Sequence, residues 1–228
     1  MKPQDWQIHF WTVLVVMGPE GTLDAVDDRP APGEELNNGR ATEPRQAATV
    51  ILLRGGAEQL EVLLVRRNPA SRFMGGAWVF PGGAVDAGED HRVAGIREVQ
   101  EEAGVDLADT GALVRFSRWI TPREVRIRFD THFFLAAAPA GAEPRPDGGE
   151  TVALGWYTPL DALGAFERRE IELVFPTIKT LEQLAGFASA DELLAWADGR
   201  EVEPIEPRVV VEGEIARVVL PGEPGYRD

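Results

Sequence analysis

Glu98, Glu101 and Glu102 stand at i, i+3 and i+4, a spacing that makes side chains neighbours on a helix. Ile96, Val99 and Ala103 recur at helical intervals, and Gly104 follows as a left-handed stop. A helix is therefore predicted here, with the three glutamates on the face opposite its apolar residues. Carboxylates so close repel one another unless something positive lies between them. A hard divalent cation relieves that conflict: Mg²⁺ takes oxygen ligands in octahedral geometry and keeps several waters, which leaves room for a phosphate.

The elements that must position these carboxylates are legible on both sides. Ala47 to Arg54 and Glu61 to Arg67 are β-rich runs around a turn that opens Gly-Gly-Ala-Glu, a hairpin-like pair. Trp78 to Phe80 reads as a short strand feeding Pro81-Gly82-Gly83, where glycine lets backbone come close to a ligand. After the helix, Leu113 to Ile120 and Arg126 to Ala136 are expected strands, Pro139 to Gly149 a turn-rich loop and Thr151 to Tyr157 the next strand. Thr158-Pro-Leu-Asp opens a helix through Phe166. Further helices are expected at Leu181 to Leu184 and Asp191 to Trp196, then strand-like Arg208 to Val211 and Ala216 to Leu220. At the other end, Phe10 to Met17 is apolar and too short to span a bilayer, so a strand is expected. Residues 18–45 are rich in Pro, Gly, Asn and acid, the composition of a linker. The resulting division is 1–45 N-terminal strand and linker, 46–165 central α/β domain and 166–228 C-terminal extension with helices and a Pro-rich end.

Composition narrows the chemistry. The 228 residues carry 38 acidic and 23 basic side chains, for a net charge of −15, so nonspecific attraction to nucleic acid or to an anionic membrane is not expected. Only Lys2 and Lys179 are lysines, which excludes a phosphate-loop Gly-Lys-Ser/Thr. Cysteine is absent. That removes thiolate zinc sites and cysteine nucleophiles and suits a reducing cytoplasm, the expected location. Asp5 precedes the apolar run and no small-x-small cleavage site follows it cleanly, so a signal peptide is not expected. His9, His91 and His132 are far apart and no Gly-x-Ser-x-Gly elbow occurs, so zinc or serine hydrolase chemistry is not indicated. His132 reads as a strand residue. A homodimer is compatible with the residues and not specified by them.

Gly83, Glu89, Arg97, Glu98, Val99, Glu101, Glu102, Gly104 and Val105 together form a spaced pattern that resembles the box of the Nudix hydrolases at every specified position. The resemblance implies an α/β/α sandwich with a mixed sheet, and hydrolysis of a diphosphate joined to another moiety by water attacking phosphorus. It further implies Mg²⁺ or Mn²⁺ held by Glu98, Glu101 and Glu102, with the Gly82 backbone carbonyl as a further ligand. Arg97 is then expected to orient a glutamate through a charge-assisted pair, and Glu89 either to play the structural counterpart at the helix start or to reach metal through water. The general base is a box glutamate or a carboxylate on a later loop, for which Glu150 is the best candidate; ordinary solvation of that loop is the alternative.

A second stretch bears on substrate. Leu63-Leu64-Val65-Arg66-Arg67-Asn68, then Arg72, Gly76 and Phe80-Pro81-Gly82-Gly83, is similar to the signature preceding the box in Nudix coenzyme A diphosphatases. It departs at Val65, where the signature prefers Thr, and at Asn68, where it prefers a small residue. Arg66, Arg67 and Arg72 form a positive island without an acid between Val62 and Val85; coenzyme A carries a 3′-phosphate besides its diphosphate, and the arginine fork holds phosphate oxygens bidentately. Arg118 to Pro122, Arg128 to Thr131 and Leu220-Pro-Gly extend the likeness toward a bacterial branch allied to peroxisomal coenzyme A diphosphatases. Arg66, Arg67, Arg72 and Gly76 are thus the expected substrate-binding residues, and 3′,5′-ADP and 4′-phosphopantetheine the implied products. Trp196, Phe187 and Leu193 could cover an acyl end or simply pack a core. ADP-ribose or dinucleotide hydrolysis is the alternative within this chemistry; a non-catalytic nucleotide-sensing module is the alternative outside it, against which the complete box argues.

Overall fold

Alternation along one strand organises the molecule. In the computed structural model, which describes residues 14–17, 23–25, 36–71, 74–212 and 215–227, β3 spans Arg45–Arg54. It sends Ala48, Val50 and Leu52 to one face and Ile51 and Leu53 to the other. Successive strand side chains must point to opposite faces, and here both faces are apolar because both are covered. β4 (Glu61–Arg67) and β8 (Phe129–Ala137) repeat the pattern. Leu63, Val65 and Phe134 join the first face, and Val62, Leu64 and Leu135 the second.

These strands belong to an eight-stranded sheet of order β10-β7-β8-β3-β4-β5, with β6 (Gly82–Ala84) beside β3 and β9 (Thr151–Tyr157) beside β4. β5 is Trp78–Val79, β7 Val114–Ile120 and β10 Pro204–Ile205. β3 runs parallel to β8 and antiparallel to β4, so the sheet is mixed. β3 diverges between two partners on its other edge: Leu53 and Arg54 pair with Val62 and Glu61, whereas Ala47 to Thr49 pair with β6. That divergence brings Gly82 and Gly83 beside the middle of β3.

One helix covers the first face. α1 (His91–Ala103) starts at Asp90, whose carboxylate accepts from the Arg92 N–H, and ends at Gly104 with φ 64°. Ala94, Val99 and Ala103 pack on β3 and β8. Gly95 lies so close to the sheet that a Cβ there would stand 2.8 Å from a Val50 methyl.

α2 (Pro159–Glu167), α3 (Phe175–Leu184) and α4 (Ala190–Ala197) cover the second face. The layers are therefore α/β/α, as expected from the sequence. α3 begins six residues before the predicted Leu181, because Pro176 in the first turn lacks only an N–H that no helix would use there. Leu193 is fully buried and the Trp196 ring packs on Phe187 and Phe116. Core packing therefore accounts for these residues.

β11 (Arg208–Glu212) and β12 (Ile215–Val219) form a second, antiparallel sheet with β1 (Leu14–Met17) and β2 (Leu23–Ala25). Leu14–Met17 lies within the apolar run read as a strand; the rest of that run is outside the described residues. Among the described residues no helix is long and apolar enough to cross a membrane.

Candidate active site

Glu98 and Glu102, one helical turn apart, are both buried against the sheet, with 8% and 3% of their surfaces exposed. Glu101 points away, its side chain 54% exposed. The glutamates therefore do not share one outward face as the spacing suggested. At about 100° per residue, Glu98 and Glu102 flank the buried Val99 and Ala103, while Glu101 turns to solvent.

Arg97 binds Glu98 and Glu101 to Glu89. Its Nε donates to Glu89 Oε1 (3.1 Å) and its Nη2 to Glu89 Oε2 (3.0 Å). Its Nη1 donates to Glu98 Oε1 (2.7 Å) and Glu101 Oε2 (3.1 Å), and Nη2 also reaches the Ala84 carbonyl (2.9 Å). One planar guanidinium thus ties the loop before α1, the strand β6 and two helix carboxylates. Of the two expectations for Glu89, this arrangement is the pairing at the helix start. The hydrogen bonds from Arg97 and from the Asp86 N–H lower the Glu89 carboxyl's pKa.

Glu102 is placed differently. Its Oε2 accepts from the Gly82 N–H at 3.0 Å, whereas its buried Oε1 accepts no hydrogen bond and has Arg67 Nη1 at 3.9 Å. Burial pushes its carboxyl up to about 7, against the pull of the Gly82 N–H and Arg67 and with the push of Glu98 and Glu150. Glu98 is also raised, by burial first, despite its bond to Arg97. A buried carboxylate oxygen without a donor is costly unless a cation completes it.

Two hard oxygen donors at i and i+4, one of them without a hydrogen-bond partner, match what a divalent cation requires. Among the described residues no three His, Asp or Glu side chains already converge as a ligand set.

Backbone geometry explains the glycines. A Cβ on Gly83 would lie 2.4 Å from Glu98 Oε1, so only glycine lets this carboxylate sit against β6. A Cβ on Gly82 would strike the Ala48 carbonyl at 2.5 Å.

Of the expected substrate arginines, Arg67 lies on the α1 face of β4, beside Glu102. Arg66, one residue earlier, projects from the other face, is exposed, and donates to the Gly76 carbonyl at 3.4 Å. Gly76 takes φ 84° at the neck of the β4–β5 loop, where its N–H donates to the Arg67 carbonyl. Arg72 lies outside the described residues.

Glu150 sits in the loop before β9, close enough that its charge disfavours ionisation of both Glu98 and Glu102. That loop is built by Asp147, which sequence reasoning passed over. Asp147 accepts from the N–H groups of Gly149, Glu150 and Thr151. Asp-Gly-Gly is an Asx-turn signal that could have marked it. His132 lies in β8, its ring tilted 42° against that of His91 with centroids 4.1 Å apart; burial, then His91 and Arg118, depress its pKa to about 4.

Comparison with known proteins agrees with this geometry. The family model of the NUDIX domain matches residues 43–175, more than half of the chain. The human protein named acyl-coenzyme A diphosphatase NUDT19 is 34% identical over 123 residues, covering 52% of this chain but only 33% of the human one. A Caenorhabditis elegans protein named putative nudix hydrolase 7 is 39% identical over 227 residues, covering 81% of this chain and 75% of its own. Among solved structures, a NUDIX hydrolase from Alicyclobacillus acidocaldarius superposes with a TM-score of 0.62 at 30% identity, covering 68% of this chain and 96% of that one. With the box, the sandwich and these relatives in agreement, the chain belongs to the Nudix family.

Proposed function

We propose that the chain hydrolyses the diphosphate linkage of a nucleoside diphosphate derivative, with coenzyme A or acyl-coenzyme A as its substrate. The observation that carries the reading is the buried Glu98–Glu102 pair, Glu98 held by Arg97 and Glu102 by the Gly82 N–H, with Arg67 and Glu150 close by. This is a site that binds phosphate and cation together, because its carboxylates are too crowded to stand alone.

Glu98, Glu101 and Glu102, with the Gly82 carbonyl, would hold Mg²⁺ or Mn²⁺, which when bound neutralises diphosphate oxygens and acidifies a nearby water. The remaining steps fall to the chain's own residues. Arg67 pairs with a phosphate oxygen of the substrate. Arg97 fixes the carboxylates and does not touch substrate. Glu150 takes a proton from the attacking water as its oxygen bonds to phosphorus. The bridging P–O bond then breaks, leaving two phosphomonoesters. The coenzyme A assignment is supported by the signature around Arg67, Gly76 and Phe80 to Gly83, and by the name of the human relative.

The test is incubation with coenzyme A, an acyl-coenzyme A, ADP-ribose and NADH in Mg²⁺, with products separated by chromatography. Appearance of 3′,5′-ADP and 4′-phosphopantetheine is expected. Turnover confined to ADP-ribose or NADH would keep the diphosphatase and remove coenzyme A; binding without turnover would favour a sensor.

A further inference from the structure

Glu150 is held by its backbone at both ends, and by two different segments. Its N–H donates to Asp147 Oδ2 at 2.9 Å, and its carbonyl accepts from the Asn68 N–H at 2.7 Å. Asn68 reinforces the second tie. Its Nδ2 donates to the Gly149 carbonyl at 2.8 Å, while its Oδ1 accepts from the Ala70 N–H at 3.0 Å. Asn68 follows Arg67 directly, at the position where the coenzyme A diphosphatase signature prefers a small residue. A small aliphatic side chain there could make neither bond.

The first tie leads back to α1. Asp147 Oδ1 accepts from the Thr151 N–H at 2.7 Å, and Thr151 Oγ1 lies 2.7 Å from both that oxygen and the Glu102 carbonyl. Thr151 is fully buried. The Arg145 N–H adds a bond to the Ala103 carbonyl at 2.8 Å. The loop is thus fastened on one side to the turn of α1 that carries Glu102 and on the other to the strand end that carries Arg67. Residues 147–150 are exposed, so hydrogen bonds rather than packing hold them.

We propose that Asn68 and Asp147 are positioning residues that hold Glu150 beside the Glu98 and Glu102 carboxylates, coupling the Arg67 segment and the Glu150 loop into one unit. This deepens the diphosphatase reading and rests on it. Asp147 sets the turn by accepting from three successive backbone N–H groups, which leaves the Thr151 hydroxyl proton for the Glu102 carbonyl. Asn68 sets the distance between that turn and the arginine that meets substrate. Neither side chain touches the reacting atoms.

The experiment is a double-mutant cycle on the full chain, using the diphosphate substrate that wild type turns over in Mg²⁺. Asn68→Ala is expected to lower kcat about 10-fold and Asp147→Ala up to about 100-fold, since small misplacement of a reacting group carries losses of that order. KM should stay within about twofold. Asn68→Asp, which sets a carboxylate against the Gly149 carbonyl, should be worse than Asn68→Ala. In a Glu150→Gln background each substitution should change kcat by less than about twofold, because the group they place is gone. A merely structural role would lower kcat equally in both backgrounds. If Asp147→Ala does not fold, Asn68→Ala, whose backbone bond to Glu150 survives, carries the test alone. Losses that persist in the Glu150→Gln background overturn the proposal, as does wild-type kcat in Glu150→Gln itself. Wild type that hydrolyses no diphosphate overturns the functional reading along with it.

Discussion

Arg97 grips Glu89 through two parallel bonds, Nε to Oε1 at 3.1 Å and Nη2 to Oε2 at 3.0 Å, and this fork leaves Nη1 aimed at Glu98 and Glu101. The pair fixes the plane of the guanidinium, and the plane fixes the carboxylates. Lysine keeps the charge and loses the fork. Arg97→Lys should therefore fold, yet lower kcat on the order of 10- to 100-fold, measured at saturating substrate and Mg²⁺. Wild-type kcat in this variant would mean that the fork does not matter.

Gly83→Ala isolates Glu98. The added Cβ would overlap the end of a flexible side chain, 2.4 Å from Oε1, and no backbone atom is among its nearest neighbours. The carboxylate can swing aside, so the change in unfolding free energy should stay within about 1 kcal/mol. Activity should nonetheless fall about 100-fold. Denaturant midpoints and steady-state rates, taken together, check this separation.

The Glu102 carboxyl gives a pH signature. Its pKa is about 7 in the folded chain against 4.5 for the free group, burial being the main cause. The folded state then holds this proton more tightly than the unfolded state. The associated stabilisation is complete below about pH 4.5 and is lost as pH rises through about 7, on the order of 3 kcal/mol. Glu102→Gln, which stays neutral, should not show this loss. Urea unfolding of the metal-free proteins from pH 5 to 8 should give curves that diverge as pH rises, and Mg²⁺ at pH 8 should restore wild type only. Parallel curves would place the elevated group elsewhere.

Arg67 and Arg66 are adjacent in sequence and on opposite faces of β4. Arg67→Ala should raise KM about 10-fold, in line with loss of a charged hydrogen bond to phosphate. Arg66→Ala should change it by less than about threefold. Equal effects would contradict the assignment of faces.

β4 and β9 matched their predicted limits because charged or turn residues bound each apolar run. α1 was legible from its periodicity and its Gly104 stop. β6 was not, since Gly82 and Gly83 carry no side chain to signal a strand; backbone pairing with β3 makes it one. The carboxylate triplet was visible, but not that Glu98 and Glu102 turn inward while Glu101 turns out, because a helix wheel does not say how wide the buried face will be. The Asp147 turn is local and carries its own Asp-Gly-Gly signal, whereas the Asn68 tie joins residues 81 apart, and no local pattern reports such a meeting.

The Glu98–Glu102 centre is proposed as a cation-dependent diphosphatase site. The most direct test is the rate of 3′,5′-ADP release from coenzyme A by wild type and by Glu102→Gln, each with Mg²⁺ and with excess chelator. Release by wild type in Mg²⁺ only, with at least about a 100-fold loss in Glu102→Gln, is the predicted result. Release that survives the chelator, or an unimpaired Glu102→Gln, would contradict it.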